Sequence, residues 1–134
     1  MRQSSGLAWL RVSYWVGAII DAAMIVPMLS PKLGAALFGI HDLHPSAAYR
    51  YAMAVAASLM AGWTALLVWA DRRPVERRAG LLLTIVPVLI GLMLAGAYAV
   101  ASGLVDASRM TPTWLIQLAL VGLFVMAYRR GGRP

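Results

Sequence analysis

The chain has 134 residues, of which 61% are hydrophobic and 13% are charged, and it carries a formal net charge of +7. Its mean hydropathy is +0.74. A soluble domain carries about 25% charged residues, so this composition excludes an ordinary water-soluble domain. The absence of cysteine excludes disulfides, thiolate metal sites and covalently attached c-type haem.

Four apolar stretches follow one another along the chain, separated by short polar segments. About 20 apolar residues in a helix cross a hydrocarbon core of about 30 Å. The sequence therefore predicts an all-α, polytopic membrane protein, a single four-transmembrane-helix bundle. The predicted spans are residues 12–29, 47–70, 79–102 and 112–128.

Polar residues and prolines predict where these helices begin and end. Ser30-Pro31-Lys32 stops the first span. Residues 33–40 (LGAALFGI) are too short to cross and predict a short interfacial helix. Ser46 is the expected N-cap of the second span, and Thr111-Pro112 is the expected start of the fourth.

A short motif occurs twice, as Ile25-Val26-Pro27 in the first span and Ile85-Val86-Pro87 in the third. A proline inside a helix frees a carbonyl one turn earlier. The repeat would place equivalent kinks in two parallel hairpins, although two matches in apolar sequence also arise by chance.

Basic residues are distributed unevenly around the spans. The N-terminus, the second loop and the C-terminal tail hold nine, whereas the other side holds three, namely Lys32, Arg50 and Arg109. Short loops rich in Lys and Arg stay in the cytoplasm, which predicts an N-in, C-in orientation. The arginine-rich, alanine-rich composition favours a bacterial cytoplasmic (inner) membrane protein. The cytoplasmic arginines would attract anionic lipid headgroups, and topology explains them without nucleic-acid binding.

Asp21 is the ionisable residue expected at membrane depth. A charged aspartate there costs about 2.5 to 3.5 kcal/mol on insertion scales, so its side chain should face the bundle. One interpretation is a proton-carrying or ligand-binding carboxyl group. The other is a protonated carboxyl that hydrogen-bonds a neighbouring helix and fixes its packing.

Polar and aromatic side chains on the other three spans suggest a pocket shared with Asp21. For the tyrosines and the arginine the alternative role is interfacial anchoring. Trp63 is the tryptophan expected deepest in the membrane, and it is a candidate ligand wall. The candidate ligand-binding residues are Asp21, Arg50, Tyr51, Ser58, Trp63, Tyr98 and Gln117.

Span two is rich in small residues, and Ser58 and Gly62 have the small-xxx-small spacing that allows close helix contact in lipid. The partner of this face is either another helix of the bundle or another chain. A homo-oligomer or a larger membrane complex is therefore a candidate assembly.

Other chemistry has little support in the sequence. His41 and His44, with Asp42 between them, are weak candidates for a metal site, because two histidines alone are weak evidence and a further ligand and a defined geometry are missing. The sequence predicts no cofactor. An enzyme is the least supported class, because no nucleophile, base and oxyanion donor can be assembled from these residues.

The order of features resembles that of DoxX-like small bacterial membrane proteins. The resemblance rests on Tyr14-Trp15 at the start of span one, the Ser30-Pro31-Lys32 turn, the LGAALFGI stretch, a short basic loop and a last span ending in arginines. It implies association with quinone-linked or redox-protective membrane complexes, and it assigns no site residues.

Two functional hypotheses follow. The first is a protein that binds or transports an apolar or quinone-like small molecule in an outward-facing pocket around Asp21. The second is an accessory or assembly subunit that stabilises a larger membrane complex through the small-residue face of span two.

Overall fold

A computed structural model of the chain describes residues 2–41 and 43–131, and within these ranges it is all-helical. The helices are α1 (Arg2–Leu29), α2 (Pro31–Phe38), α3 (Ala47–Asp71), α4 (Ala79–Leu83), a π-helix (Thr84–Ile90), α5 (Gly91–Ala101) and α6 (Ala107–Gly131). Together α4, the π-helix and α5 form one continuous stretch, residues 79–101, called the third span below.

Within the described residues, four helical stretches are long and apolar enough to cross a membrane, which confirms the predicted number of spans. They cover Gly6–Leu29, Ala47–Asp71, Ala79–Ala101 and Ala107–Gly131, with lengths of 24, 25, 23 and 25 residues. At 1.5 Å per residue each is about 35 Å long, enough for a hydrocarbon core of about 30 Å.

Two predicted helix starts need correction. Helix α1 begins at Arg2, ten residues before the predicted start of the first span at Val12. Helix α6 begins at Ala107, so Thr111 and Pro112 lie inside it rather than at its start. The backbone N–H groups of Arg109 and Met110 both donate to the Asp106 carbonyl, which starts the helix five residues earlier. Pro112 removes a single backbone donor and does not end the helix.

Two boundary residues predicted from the sequence agree with the structure, whereas the short helix lies at Pro31–Phe38 and α6 ends at Gly131. Ser46 is the N-cap of α3, because its Oγ accepts a hydrogen bond of 3.1 Å from the Tyr49 N–H. Ser30 separates α1 from α2, and Gly39 closes α2 with a φ of +69°, in the left-handed region that glycine tolerates.

The two copies of the proline motif lie in different kinds of helix. Pro27 lies within the α-helical α1, whereas Pro87 lies in the π-helix of the third span. The repeat therefore does not produce equivalent local structures, and only its second copy coincides with a change of helix type.

Helix α1 lies at the centre of the arrangement, between α3 and α6. It packs along α3 and along α6, and the third span packs mainly against α6. Helix α3 and the third span, in contrast, approach each other closely at few points. The bundle is thus closed on three sides and loosely joined on the fourth.

The buried core lies toward one end of the bundle, called the basic end. This end consists of the start of α1, the turn at residues 72–78 and the end of α6. The Tyr14 hydroxyl donates a 2.8 Å hydrogen bond to the Arg77 carbonyl, which joins α1 to this turn. The largest fully buried side chains are Tyr14, Phe124, Leu10, Leu67 and Leu81.

Close approach at the basic end depends on a small residue of α1. A Cβ atom at Gly17 would lie 3.1 Å from side-chain atoms of both Leu67 and Phe124. Gly17 therefore lets α3 and α6 pack tightly on the two sides of α1, as small residues do between helices in lipid.

Candidate functional site

The candidate site is a groove on the loosely joined side of the bundle, between α1, α3 and the third span. It encloses about 270 Å³. Asp21 is the one charged residue in its lining, which otherwise consists of Met28, Ala56, Leu59, Met60, Trp63, Val88 and Leu92. Leu59 is 72% exposed, so the groove opens along its side toward the surroundings of the bundle.

Asp21 and Trp63 lie at the same level because α1 and α3 are antiparallel. Gly17 packs against Leu67, and one turn further along each helix lie Asp21 and Trp63. Asp21 is eight residues from the end of α1 at Leu29, or about 12 Å along the helix axis. The groove therefore reaches about 12 Å from the end of α1 toward the middle of the bundle.

The Asp21 carboxyl group is half-buried, and its Oδ2 atom is shielded from solvent without a hydrogen-bond partner among the described residues. A carboxyl oxygen at membrane depth without a partner is costly. A carboxylate can accept a hydrogen bond from a ligand hydroxyl group. When the carboxyl is protonated, it can donate one to a ligand carbonyl.

Trp63 is held in the groove by the third span. Its indole N–H donates a 3.3 Å hydrogen bond to the Thr84 hydroxyl, which itself donates to the Gly80 carbonyl at 2.9 Å. Thr84 is buried and is the first residue of the π-helix. The indole therefore has a fixed edge on Thr84 and presents its apolar body to the groove.

The π-helix contributes Val88 to the groove, next to Pro87. Single π-helical turns are rare in proteins, but those that occur are often found at functional sites. Pro87 has no backbone N–H to donate, so a carbonyl one turn before it lacks its usual helical partner.

The structure does not bring all the candidate residues into one pocket. Asp21 and Trp63 line the groove, and Arg50 lines a neighbouring cavity. Tyr51 and Tyr98 are 74% and 75% exposed and point away from the bundle. Ser58 is also exposed, and its hydroxyl donates to the Ala54 carbonyl of its own helix.

Gln117 is buried in α6 but does not line the groove. Its side chain is among the few buried polar groups, and its Oε1 atom has no hydrogen-bond partner in the described part of the chain. Gln117 therefore belongs to the packing around α6, separate from the groove that contains Asp21.

Two of the candidate metal residues, His41 and His44, lie in the loop after α2. His41 and His44 are both exposed, and Asp42 lies outside the described residues. Within residues 2–41 and 43–131, no group of three metal-ligating side chains comes together.

Several residues that line or support the groove were not among the candidates predicted from the sequence. Thr84 was a recognisable polar residue in an apolar span, three positions before Pro87. The methionines of the lining, Met28 and Met60, carried a weaker signal, since flexible thioethers are common at adaptable binding surfaces.

Comparison of the chain with protein-family models, with curated proteins and with solved structures finds no match. The inference of function therefore depends on the geometry of the groove.

Proposed function

We propose that this protein is a small integral membrane protein that binds an apolar or quinone-like small molecule in the groove around Asp21. The observation that supports the proposal is the groove itself, an apolar space of about 270 Å³ whose single charged residue has an unpartnered, buried oxygen. Ligand sites are mostly apolar, with a few polar groups that fix orientation.

The chemistry of the groove fits a molecule with one hydrogen-bonding group on an apolar body. The Asp21 carboxyl meets that group, while Trp63 and the aliphatic walls contact the rest. A quinone or quinol has this character, since its ring oxygens accept or donate hydrogen bonds. Because the groove opens sideways, such a molecule enters from the bilayer without crossing water.

The direct test is a titration of the purified full-length protein in detergent with a short-chain benzoquinone. We expect Asp21→Asn to weaken binding about tenfold, the effect of losing one hydrogen bond to a charged group. Ala22→Asn is the matched control, because Ala22 is the exposed neighbour of Asp21 on α1. Equal affinities for the parent and Asp21→Asn would rule out the proposed role of Asp21.

A second pair of variants tests the groove rather than the carboxyl group. Leu92 lines the groove, whereas Leu94 is 67% exposed and lies outside the lining. We expect Leu92→Trp to block quinone binding and Leu94→Trp to leave it intact. Unchanged binding in Leu92→Trp would place the ligand elsewhere.

We further propose the N-in, C-in orientation in a bacterial inner membrane. The basic end then faces the cytoplasm and its anionic headgroups, and α2 lies at the opposite interface. Two leucines of α2, Leu33 and Leu37, are each 52% exposed on one face, which suits an interfacial helix.

The absence of native cysteine allows a clean test of this orientation. Single cysteines are introduced as Arg73→Cys in the turn of the basic end and as Ser102→Cys at the opposite end. In intact cells, a membrane-impermeant maleimide should label only Ser102→Cys. Labelling of Arg73→Cys alone would show that the orientation is the reverse of the one proposed.

An accessory or assembly subunit is a second candidate, favoured by the exposure of the small-residue face of α3. Ser58 and Gly62 are exposed, and a Cβ atom at Gly62 would have nothing within 4 Å. Small residues in this spacing permit close contact with another transmembrane helix.

Gentle solubilisation followed by mass analysis separates the two candidates. An accessory subunit should co-purify with other chains, and Gly62→Leu should release them by blocking close approach. A lone monomer that still binds the benzoquinone would favour the ligand-binding function.

A further inference from the structure

A second cavity adjoins the Asp21 groove. It encloses about 220 Å³ between the end of α1, the start of α2 and the first two turns of α3. Met28 lines both spaces, and its flexible thioether side chain is the wall that they share. The groove therefore has an extension toward the end of the bundle opposite the basic end.

One face of α3 lines both cavities. Five of its eight lining residues, Tyr49, Met53, Ala56, Met60 and Trp63, follow each other at alternating intervals of four and three, and Arg50, Ala54 and Leu59 lie beside them. This spacing places the five residues in one stripe along the helix. The two cavities thus lie end to end along α3, over a path of about 21 Å.

The length of this path matches one leaflet of a bilayer. The hydrocarbon core is about 30 Å thick, so a single leaflet contributes about 15 Å, and the headgroup region adds several more. The path begins near the interface, at Tyr49, and ends at the level of Asp21 and Trp63. An extended acyl chain anchored at the interface covers this depth.

The charge along the path is also asymmetric. Arg50 lines the cavity nearer the interface and lies in the first turn of α3, where the helix dipole adds to its positive potential. Below Arg50 the walls are almost entirely apolar as far as Asp21. A guanidinium group binds phosphate through paired hydrogen bonds.

We propose that the groove and the adjoining cavity also bind a membrane lipid with an anionic headgroup. The phosphate pairs with Arg50, and one acyl chain follows the stripe on α3 past Met28 to Trp63. The second chain stays in the bilayer, because the groove opens sideways. This inference rests on the proposed function, since the acyl chain occupies the same groove as the proposed small molecule.

Arg50 has a simpler alternative role, in which its side chain extends to the membrane interface and contacts headgroups without selecting one. The two roles differ in a measurable way. A built site retains one lipid through purification and selects its headgroup, whereas passing contacts do neither.

The test uses the full-length protein in nanodiscs that contain phosphatidylglycerol and phosphatidylcholine in equal amounts, with identical acyl chains. Native mass spectrometry then counts the lipids that remain bound after release. We expect the parent to retain one lipid with a preference for phosphatidylglycerol. Arg50→Gln should reduce that preference about tenfold, the effect of losing one charge-assisted contact.

Lys32→Gln is the matched control for charge. Lys32 is an exposed cation next to Pro31 but is absent from the cavity lining, so its variant should keep the parent's preference. If Arg50→Gln and Lys32→Gln behave alike, Arg50 does not select the headgroup and the proposal is wrong.

A second pair tests the path of the acyl chain. Ala56→Leu narrows the groove and should reduce retention of both lipids equally, whereas Ala52→Leu changes an exposed residue outside the lining and should have no effect. Full retention by Ala56→Leu would show that the acyl chain does not lie along this stripe.

Failure of this inference is distinguishable from failure of the proposed function. If Arg50→Gln keeps the lipid preference while Asp21→Asn weakens quinone binding, the lipid proposal fails alone. If Asp21→Asn binds the quinone normally while Arg50→Gln loses the preference, the lipid proposal stands and the role of Asp21 fails.

Discussion

The two halves of the bundle differ in how their polar groups are satisfied. At the basic end, Trp15 donates to Asp71 Oδ2 at 3.2 Å, while Asp71 Oδ1 has no hydrogen-bond partner among the described residues and lies 3.9 Å from Arg11 Nε. In the groove, the oxygen Oδ2 of Asp21 has no partner within the described ranges. The Asp71 carboxylate therefore joins two helices, while Asp21 lines the groove and its Oδ2 atom joins nothing among the described residues.

Three arginines of the basic end are also partnered, in this case by aromatic rings. Arg77 lies 3.3 Å from the centre of the Trp69 ring, Arg78 lies 5.2 Å from that of Tyr128, and Arg130 lies 5.0 Å from that of Trp9. Guanidinium groups over aromatic faces gain cation–π attraction. The basic end is thus well packed, whereas the half that contains the groove has space for a ligand.

The largest effect is expected from a cavity in the basic half. Phe124 is 1% exposed and packs against Gly17, so Phe124→Ala should lower the free energy of unfolding by about 3 kcal/mol. Denaturation by sodium dodecyl sulfate in mixed micelles measures it. Leu115→Ala, at a residue that is 62% exposed, should change it by less than about 0.5 kcal/mol. Equal losses would mean that the core does not lie in the basic half.

The sequence predicted much of this fold because strong local signals determine it. Long apolar runs predicted four spans, and the hydroxyl of Ser46 predicted the start of α3. The predicted start of α6 was wrong because a proline only biases a helix boundary. The helix begins at Ala107, five residues before Pro112, where the Asp106 carbonyl accepts the hydrogen bonds of its first turn.

The candidate site was less predictable, because it depends on how the helices face each other. Periodicity places Tyr51, Ser58 and Tyr98 on helices but does not say which face meets a neighbour in lipid, where every face is apolar. Asp21 and Trp63 were found because their side chains are unusual at membrane depth. Thr84 and Leu92 enter the groove through the packing of the third span.

A smaller effect is expected from one hydrogen bond of the basic half. Tyr14 is fully buried, and Tyr14→Phe removes one of the two donors of the Arg77 carbonyl, which keeps its hydrogen bond from the Gly80 N–H. We expect a loss of about 1 kcal/mol in the same unfolding assay. Tyr51→Phe is the control, because Tyr51 is 74% exposed. A Tyr14→Phe variant as stable as the parent would show that this contact does not hold the turn in place.

The Arg11–Asp71 ion pair should contribute less. Arg11 is 58% exposed and its Nε is 3.9 Å from the carboxylate, which is at the long limit for an ion pair. A double-mutant cycle of Arg11→Gln and Asp71→Asn should give a coupling energy of about 0.3 kcal/mol that falls as salt is added. A coupling above about 1 kcal/mol, insensitive to salt, would contradict this.

The smallest change in stability is expected for a substitution of Asp21, the residue whose loss should weaken quinone binding most. Asp71→Leu removes the acceptor of Trp15 and should cost about 1 kcal/mol. Asp21→Leu removes a carboxyl oxygen without a described partner, so it should leave the free energy of unfolding unchanged or slightly raised. It should also abolish quinone binding. If Asp21→Leu instead unfolds as readily as Asp71→Leu, then the Asp21 carboxylate fixes helix packing. The half that contains the groove would then depend on Asp21 for stability, as the basic half depends on Asp71.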